Sequence, residues 1–301
     1  MSQKLRICVC ICTYKRPELL RRLLSKLEEQ ETEGLFDYTI VIVDNDRSES
    51  ARQTAESFGR QSKISIKYYV EPEQNIALAR NKALENAKGD FIGFIDDDEF
   101  PSNTWLLNLY TAFNTYKPNG GVLGPVVQYY PEGTPKWLIK SKICDRPNHP
   151  TGTILDWNMT RTGNVLLSRR ISVEKGLLFE SKKGRTGGED KEFFKLLMEH
   201  GYSFIWCREA HVYEVIYPDR WKLAHYLYRS LMMGGVVGKE YGKPSAYLIR
   251  SFVSLLCYTA LLSVSIFSGK HYTYKHFIRV VYDFARVMGC LGIVFAKERR
   301  N

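Results

Sequence analysis

Phe91-Ile92-Gly93-Phe94-Ile95-Asp96-Asp97-Asp98 runs five apolar residues directly into three carboxylates. An unbroken apolar run of this length reads as a strand covered on both faces. Its end delivers hard oxygen donors, the kind that suit Mg²⁺ or Mn²⁺ and the diphosphates those ions hold. In an open α/β sheet the crevice outside the carboxyl ends of the strands is where ligands bind. Taken alone, a solvated acidic turn ahead of Pro101 explains the stretch as well, so the decision rests on what surrounds it.

Upstream, strand and helix alternate. Residues 7–12 and 39–43 read as buried strands, and residues 64–70 as a third. Between them, Pro17 opens a helix carrying Leu19, Leu20, Leu23, Leu24 and Leu27 at helical spacing, and residues 48–58 form another. Residues 76–87 read as a helix closed by Gly89, and residues 105–116 as the helix after the acidic strand. This alternation predicts a mostly parallel sheet with helices on both faces. From 121 to 167 the pattern loosens into short strands of mixed direction, with 136–153 a loop long enough to suggest a function. A helix over 190–200 and short strands near Phe204 and Val212 follow.

The chain has 301 residues, 44% of them apolar, enough for a real core. Its net charge of +10 is uneven. From Lys222 onward there are 12 Lys/Arg against 3 Asp/Glu, leaving 31 against 30 in the first 221 residues. A balanced body with a basic tail predicts an anionic surface as the tail's partner. The seven cysteines include no C-x-x-C pair. Cys8, Cys10 and Cys12 alternate along one strand face and spread too far to surround a zinc ion, so they read as small core residues, a usage that fits a reducing cytosol. The amino terminus enters a strand almost at once, which predicts no signal peptide.

Residues 251–269 carry no charge over 19 positions but hold five serines. Ser251, Ser254, Ser265 and Ser268 fall on one helical face, which predicts an amphipathic helix more than a spanning one. Residues 287–296 form a second, shorter apolar stretch. Arg250, Lys270, Lys275, Arg279, Arg286, Lys297, Arg299 and Arg300 flank or interrupt both. Basic residues beside apolar faces favour an anionic membrane surface over nucleic acid. Two helices lying in the cytosolic leaflet are expected, with a helical subdomain packed on the body and a true span as the alternatives.

Four strand ends bring polar residues to one edge: Thr13, Asp44, Glu71 and Asp96 to Asp98. Neither G-x-G-x-x-G nor G-x-x-x-x-G-K-[S/T] follows the first strand, which argues against a dinucleotide oxidoreductase and a P-loop nucleotidase. The pieces Ile11-Cys12-Thr13-Tyr14-Lys15-Arg16-Pro17, Val43-Asp44-Asn45, Asn75-Ile76-Ala77-Leu78-Ala79-Arg80-Asn81, Asp96-Asp97-Asp98-Glu99, Gly163-Asn164 and Gly188-Glu189-Asp190 are individually weak and specific in their order and spacing. Together they resemble the family 2 glycosyltransferases, inverting enzymes that use nucleotide sugars and have the GT-A architecture. More narrowly, residues 187–194 and Ala210-His211-Val212-Tyr213-Glu214 resemble bacterial exopolysaccharide glucosyltransferases of the succinoglycan type.

The resemblance implies a GT-A catalytic domain over residues 1–220, with a nucleotide-sugar half to about 120 and an acceptor half from 121, followed by a membrane-associating helical region over 221–301. It implies that Thr13, Tyr14, Arg16, Asp44, Arg80, Asp96 and Asp97 meet the donor, a nucleotide diphosphate sugar and, by the resemblance, a uridine one. Asp98 would ligate Mn²⁺ or Mg²⁺, with His211 as a further ligand. Asp190 would be the general base and Glu189 its neighbour that orients the acceptor. Trp157 and Asn164 would face the sugars. The expected activity is transfer of a single hexose with inversion to a lipid-linked glycan at the cytoplasmic face of the inner membrane, because the long spans of processive synthases are missing. A catalytically inactive, membrane-peripheral protein that binds nucleotide sugar or carbohydrate is the alternative.

Overall fold

The computed structural model describes residues 4–173, 177–184, 187–241 and 245–295. Lys297, Arg299 and Arg300, and the end of the apolar stretch expected at 287–296, lie outside these residues. The chain divides into two compact units, Met1–Val127 with Arg146–Glu214, and Gln128–Asp145 with Val215–Asn301. The division thus falls at 214 instead of 220, and an internal segment joins the carboxy-terminal helices. The reason is a small apolar cluster in which Leu138 packs with Ile216, Tyr226 and Ile278.

In chain order the elements begin with β1 (Leu5–Thr13), α1 (Pro17–Glu28), β2 (Phe36–Asp44), α2 (Arg52–Gln61), β3 (Ile66–Val70), α3 (Ile76–Asn86) and β4 (Phe91–Ile95). There follow β5 (Glu99–Pro101), α4 (Trp105–Tyr116), β6 (Gly121–Leu123), β7 (Val126–Tyr129), α5 (Lys136–Ser141), β8 (Asn164–Ser168) and α6 (Arg169–Val173). The last are α7 (Glu189–Glu199), β9 (Phe204–Trp206), β10 (Val212–Val215), α8 (Leu223–Tyr241), α9 (Ser245–Ser265) and α10 (Lys270–Cys290).

The first unit is built on a seven-stranded sheet ordered β3-β2-β1-β4-β8-β6-β9. β1 pairs in parallel with both β2 and β4, and β2 with β3, so the carboxyl ends of these four strands share one edge. Only β8 runs against its neighbours. Side chains of a strand alternate between faces, and β1 does so cleanly. Ile7, Val9 and Ile11 join a core with Leu20, Leu23 and Leu24 of α1 and Trp105 and Leu109 of α4. Cys8 and Cys10 face the other side, among Ala77, Ala79 and Ala83 of α3 and Phe193, Phe194 and Leu197 of α7. The cysteines are small because the alanine face of α3 lies close against them: Cys10 Sγ is 3.8 Å from the Ala83 carbonyl.

Two expected elements differ. The helix expected from Ser48 begins at Arg52. Asp46 Oδ1 accepts from Ser48 N–H and Glu49 takes φ +56°, so the chain makes a turn before the helix can start. The expected loop 136–153 contains α5, a short helix ended by Lys142 in the left-handed region at φ +53°.

In the second unit, α8 and α10 meet through glycines. A Cβ on Gly238 would lie 2.1 Å from the Arg286 carbonyl oxygen, and one on Gly289 would lie 2.2 Å from that of Gly235. Only backbone fits there, so the two helices pack at the distance that small residues permit. The expectation for the serine face of α9 is reversed. Ser251 and Ser265 are buried, and Ser254 Oγ donates to Asp283 Oδ2 at 2.6 Å. Asp283 is fully buried and also pairs with Arg279 at 3.1 Å and Arg286 at 2.9 Å. Ser254 therefore faces α10 and Ser251 and Ser265 are covered, whereas Ser263, Ser268 and the apolar Phe252, Val253, Leu256, Leu261 and Val264 are exposed. Periodicity shows that a helix has two faces; it does not show which one is covered. Only residues 287–290 of the apolar stretch expected at 287–296 are helical, as the last turn of α10, which starts at Lys270 and ends at Cys290; residues 291–295 are not helical.

Candidate active site

The strand edge is laced together before any ligand is considered. Asn45 N–H donates to the Thr13 carbonyl at 2.8 Å, and Glu71 N–H to the Asp44 carbonyl at 2.8 Å. Asn45 Nδ2 donates to the Glu71 and Glu73 carbonyls at 3.0 and 2.5 Å, and its Oδ1 accepts from Asn75 N–H. Asn75 in turn caps α3, accepting from Ala77 N–H at 3.0 Å. Asn81, at the other end of that motif, exchanges hydrogen bonds with the backbone of Phe179 at 2.9 and 2.8 Å. Much of the motif sequence thus holds loops to one another.

Thr13, at the end of β1, donates to Asp97 Oδ2 at 2.8 Å. Arg16 Nη1 reaches Asp97 Oδ1 at 3.0 Å and Asp98 Oδ2 at 3.1 Å. Burial pushes the Asp97 carboxyl up to about 6, opposed by Arg16 and the Thr13 hydroxyl. Tyr14 is half-buried beside these residues, with Lys15 Nζ 5.1 Å from its ring centre.

The second half of the site comes from α3 and α7. Arg80, 7% exposed, is bonded to Glu189 Oε1 at 2.6 Å and reaches towards Asp96 Oδ1 at 3.5 Å. Asp190, next to Glu189, stays partly exposed, and its Oδ1 accepts from Lys191 N–H at 2.8 Å. Gly187 and Gly188 lead into α7 with φ of +92° and +93°. A Cβ at either would meet nothing within 4 Å, so the left-handed conformation, not lack of space, calls for glycine there. Burial raises the Asp96 pKa, and the charges of Asp98 and Asp190 add to this against Arg80 and Arg146. Asp96, Asp98, Arg80, Glu189 and Asp190 therefore share one electrostatic neighbourhood.

Two expected positions, Asp44 and Asn164, spend their side chains inside the protein. Asp44 is fully buried: Oδ1 accepts from Asp46 N–H at 3.1 Å, and Oδ2 from Ala51 N–H and Tyr68 Oη at 2.8 Å each. Its carboxylate is committed to shaping the β2–α2 turn. Asn164, also fully buried, accepts from Trp105 Nε1 at 2.8 Å and donates to the Pro125 and Ala210 carbonyls at 2.9 and 2.7 Å. It is an internal strut with no surface for a sugar. β10 pairs antiparallel with β5 so that Val212 faces Pro101, Tyr213 faces Phe100 and Glu214 faces Glu99. His211 lies beyond the Pro101 end of this pair, and its ring stacks with Tyr213 at 6.3 Å. Alternation puts His211 and Tyr213 on the face opposite Glu99 and Glu214. Trp157 is half-buried beside α7, with Lys195 Nζ 5.9 Å from its ring centre.

The same register brings in residues that sequence reasoning assigned no role. Glu214 is buried opposite Glu99 and pairs with Arg146 at 2.5 Å. Glu99 is 2% exposed, and burial together with the charges of Asp96 and Asp98 holds its carboxyl well above the usual range. A Cβ on Gly163 would lie 3.0 Å from both Asp96 Oδ2 and Glu99 Oε1, so only glycine lets β8 pass this close. Glu99, Glu214 and Gly163 stand inside the motifs, but their meeting depends on strand register, which no local pattern encodes. Arg146 and Arg161 carry no motif signal.

Carboxylates outnumber guanidinium groups here: Asp96, Asp97, Asp98, Glu99, Glu189, Asp190 and Glu214 face Arg16, Arg80, Arg146 and Arg161. This surplus, and the raised carboxyls that go with it, fits a divalent cation. Among the described residues no three His, Cys, Asp or Glu side chains form a closed metal cage. One or two carboxylates, completed by phosphate oxygens and water, is the usual way Mg²⁺ is held.

Comparison with known proteins identifies the family. The family model described as Glycosyl transferase family 2 matches residues 8–211. The chain is 30% identical over 300 residues to the succinoglycan biosynthesis protein ExoM of Rhizobium meliloti (strain 1021), covering 97% of this chain and 95% of that protein. Among solved structures, the mannosyltransferase PcManGT from Pyrobaculum calidifontis, in complex with GDP-Man and Mn²⁺, aligns with a TM-score of 0.60 at 15% identity, over 96% of this chain and 88% of the other. S. aureus TarS 1-349 in complex with UDP aligns with a TM-score of 0.54 at 13% identity, over 97% and 93%. The chain therefore belongs to glycosyl transferase family 2, and it is a glycosyltransferase with the GT-A fold.

Proposed function

We propose that this protein transfers one hexose, with inversion, from a uridine diphosphate sugar to a lipid-linked glycan in exopolysaccharide assembly. The observation that carries the reading is the chain Asp96–Arg80–Glu189, which ties the start of α7 to the acidic strand end. Through it Asp190 faces the same cleft as Asp96 and Asp98. Asp190 accepts the proton of the acceptor hydroxyl. The acceptor oxygen bonds to the anomeric carbon as the bond to the diphosphate oxygen breaks, and the nucleoside diphosphate leaves with that electron pair. Glu189 holds Arg80 and thereby sets where Asp190 stands. Thr13 and Arg16 position Asp97 and Asp98, and Tyr14 lines the nucleotide side. Asp98 with Asp96 would hold Mn²⁺ or Mg²⁺, which would supply neutralising charge for the diphosphate. Asp44 shapes the nucleotide pocket through its turn. Trp157 offers an aromatic face to a sugar.

Transfer of labelled hexose from a panel of nucleotide sugars to a bacterial membrane lipid extract tests this. A uridine diphosphate sugar is expected to give a lipid-extractable product that EDTA abolishes and Mn²⁺ or Mg²⁺ restores. Product formed equally in EDTA removes the metal from the mechanism, and absence of product with every donor removes the reading.

For the second unit we propose contact with an anionic bilayer at the cytoplasmic face. Residues Tyr247–Ser265 of α9 have a mean hydropathy of 1.6 and are only 11% buried. Polar groups inside and apolar groups outside reverse the arrangement of a water-soluble bundle, as expected where the outer face meets lipid. Arg250, Lys270 and Lys275 are exposed near its ends, suited to anionic headgroups. The protein is expected to float with phosphatidylglycerol vesicles even at high salt, because the apolar part of the attraction is not screened. Phe252→Asp or Leu256→Asp is expected to weaken this on the order of 100-fold; unchanged flotation of both variants contradicts it.

A further inference from the structure

Ile95 pairs with Asn164 in the antiparallel β4–β8 register, so the chain just before β8 runs back alongside the turn made by Asp96 to Asp98. The close approach at Gly163 confirms how tightly that segment lies on the acidic cluster. Two residues further back stands Arg161, half-buried. The other arginines of the cleft are spoken for: Arg16 by Asp97 and Asp98, Arg80 by Glu189 and Asp96, Arg146 by Glu214. Among the described residues Arg161 makes no hydrogen bond and no ion pair. Its surroundings are charged all the same. Burial lowers its pKa, Arg146 adds to this, and Glu99, Asp190 and Glu214 oppose it. It remains a cation, since arginine does not deprotonate in proteins.

A guanidinium carries five N–H donors in a planar fork, and leaving them unspent in a half-buried position is costly. Folding alone does not explain Arg161, because no carboxylate of the cluster has closed on it. The fork matches phosphate oxygens in two-point contact. We propose that Arg161 is the cleft's oxyanion-binding residue and takes phosphate oxygens of a diphosphate. That diphosphate is either the one leaving with the nucleoside or the one joining the acceptor to its lipid. The inference rests on reading the cleft as a sugar-transfer site. Arg161 is a binding residue distinct from Arg80, whose charge is already used internally.

The test uses the full chain with Mn²⁺ and compares wild type, Arg161→Ala and Arg161→Lys. Calorimetric titration is done with UDP, uridine, farnesyl diphosphate and farnesol. If the donor supplies the oxyanion, Arg161→Ala weakens UDP by about 10- to 150-fold, the range of a charge-assisted hydrogen bond, and leaves uridine unchanged. If the acceptor supplies it, the same loss falls on farnesyl diphosphate and spares farnesol. In either case Arg161→Lys, which keeps the charge but not the fork, falls between. The inference is overturned if neither diphosphate weakens, or if the phosphate-free partner weakens equally. Wild type that binds none of the four, and transfers no sugar, overturns the reading of the cleft itself; wild type that transfers sugar while Arg161→Ala binds normally overturns only the role of Arg161.

Discussion

Asp190→Asn is expected to lower kcat by about 10²- to 10⁴-fold, the range for loss of a positioned general base. The amide keeps the size of the side chain and removes its capacity to take the acceptor proton. Binding of UDP is expected to change little, because the contacts at Thr13, Arg16 and Asp96 to Asp98 are untouched. Thermal stability is also expected to hold, since the only described hydrogen bond of the Asp190 carboxylate is to the neighbouring Lys191 N–H. A fall in kcat with unchanged donor KM separates lost proton transfer from lost binding. Asp190→Asn with wild-type turnover would remove the base from the mechanism.

The second large effect is on stability. Arg80→Ala leaves Glu189, whose side chain is 9% exposed, buried without the guanidinium it meets at 2.6 Å. Breaking a buried ion pair from one side costs about 3–5 kcal/mol, because the remaining charge is stranded. Urea denaturation is expected to show a loss of that size. Removing both partners, Arg80→Ala with Glu189→Ala, is expected to cost less than the sum of the single changes, since residues in direct contact do not act additively. Activity of Arg80→Ala should fall as well, because the start of α7 loses its tie to the acidic strand end. An Arg80→Ala loss below about 1 kcal/mol, within the range of exposed pairs, would mean that the tie bears little of the load.

Asp190 and Arg80 could be singled out because each sits in a short motif at a fixed distance from a helix start, and the parallel order of β1, β2 and β4 follows from uninterrupted apolar runs. That order places strand ends side by side, so the acidic edge was legible in the sequence. What a carboxylate or amide at that edge does was not. Asp44 and Asn164 have the residue types of ligand contacts, yet both spend every polar atom inside the protein. Whether a polar group is satisfied internally depends on partners as far away as Trp105 and Ala210, which periodicity cannot locate. The meeting of Glu99 and Glu214 likewise follows from the register of two short strands, which pairs residues 115 positions apart. Of the serines expected on one face, Ser251, Ser254 and Ser265 are covered or bonded, whereas Ser268 lies past the end of α9 and is exposed; the cover that α10 gives rests on Asp283 and on its glycine contacts with α8.

The central claim is that Asp98 and Asp190 serve one reaction centre, with the diphosphate at the first and the anomeric carbon before the second. The most direct measurement is a structure of the full chain with Mn²⁺ and a non-transferable uridine diphosphate hexose. Diphosphate oxygens beside the carboxylates that close β4, and a sugar whose reactive carbon has an open approach from Asp190, are the predicted result. A nucleotide seated away from that strand end, or a sugar presenting its diphosphate side to Asp190, would contradict it.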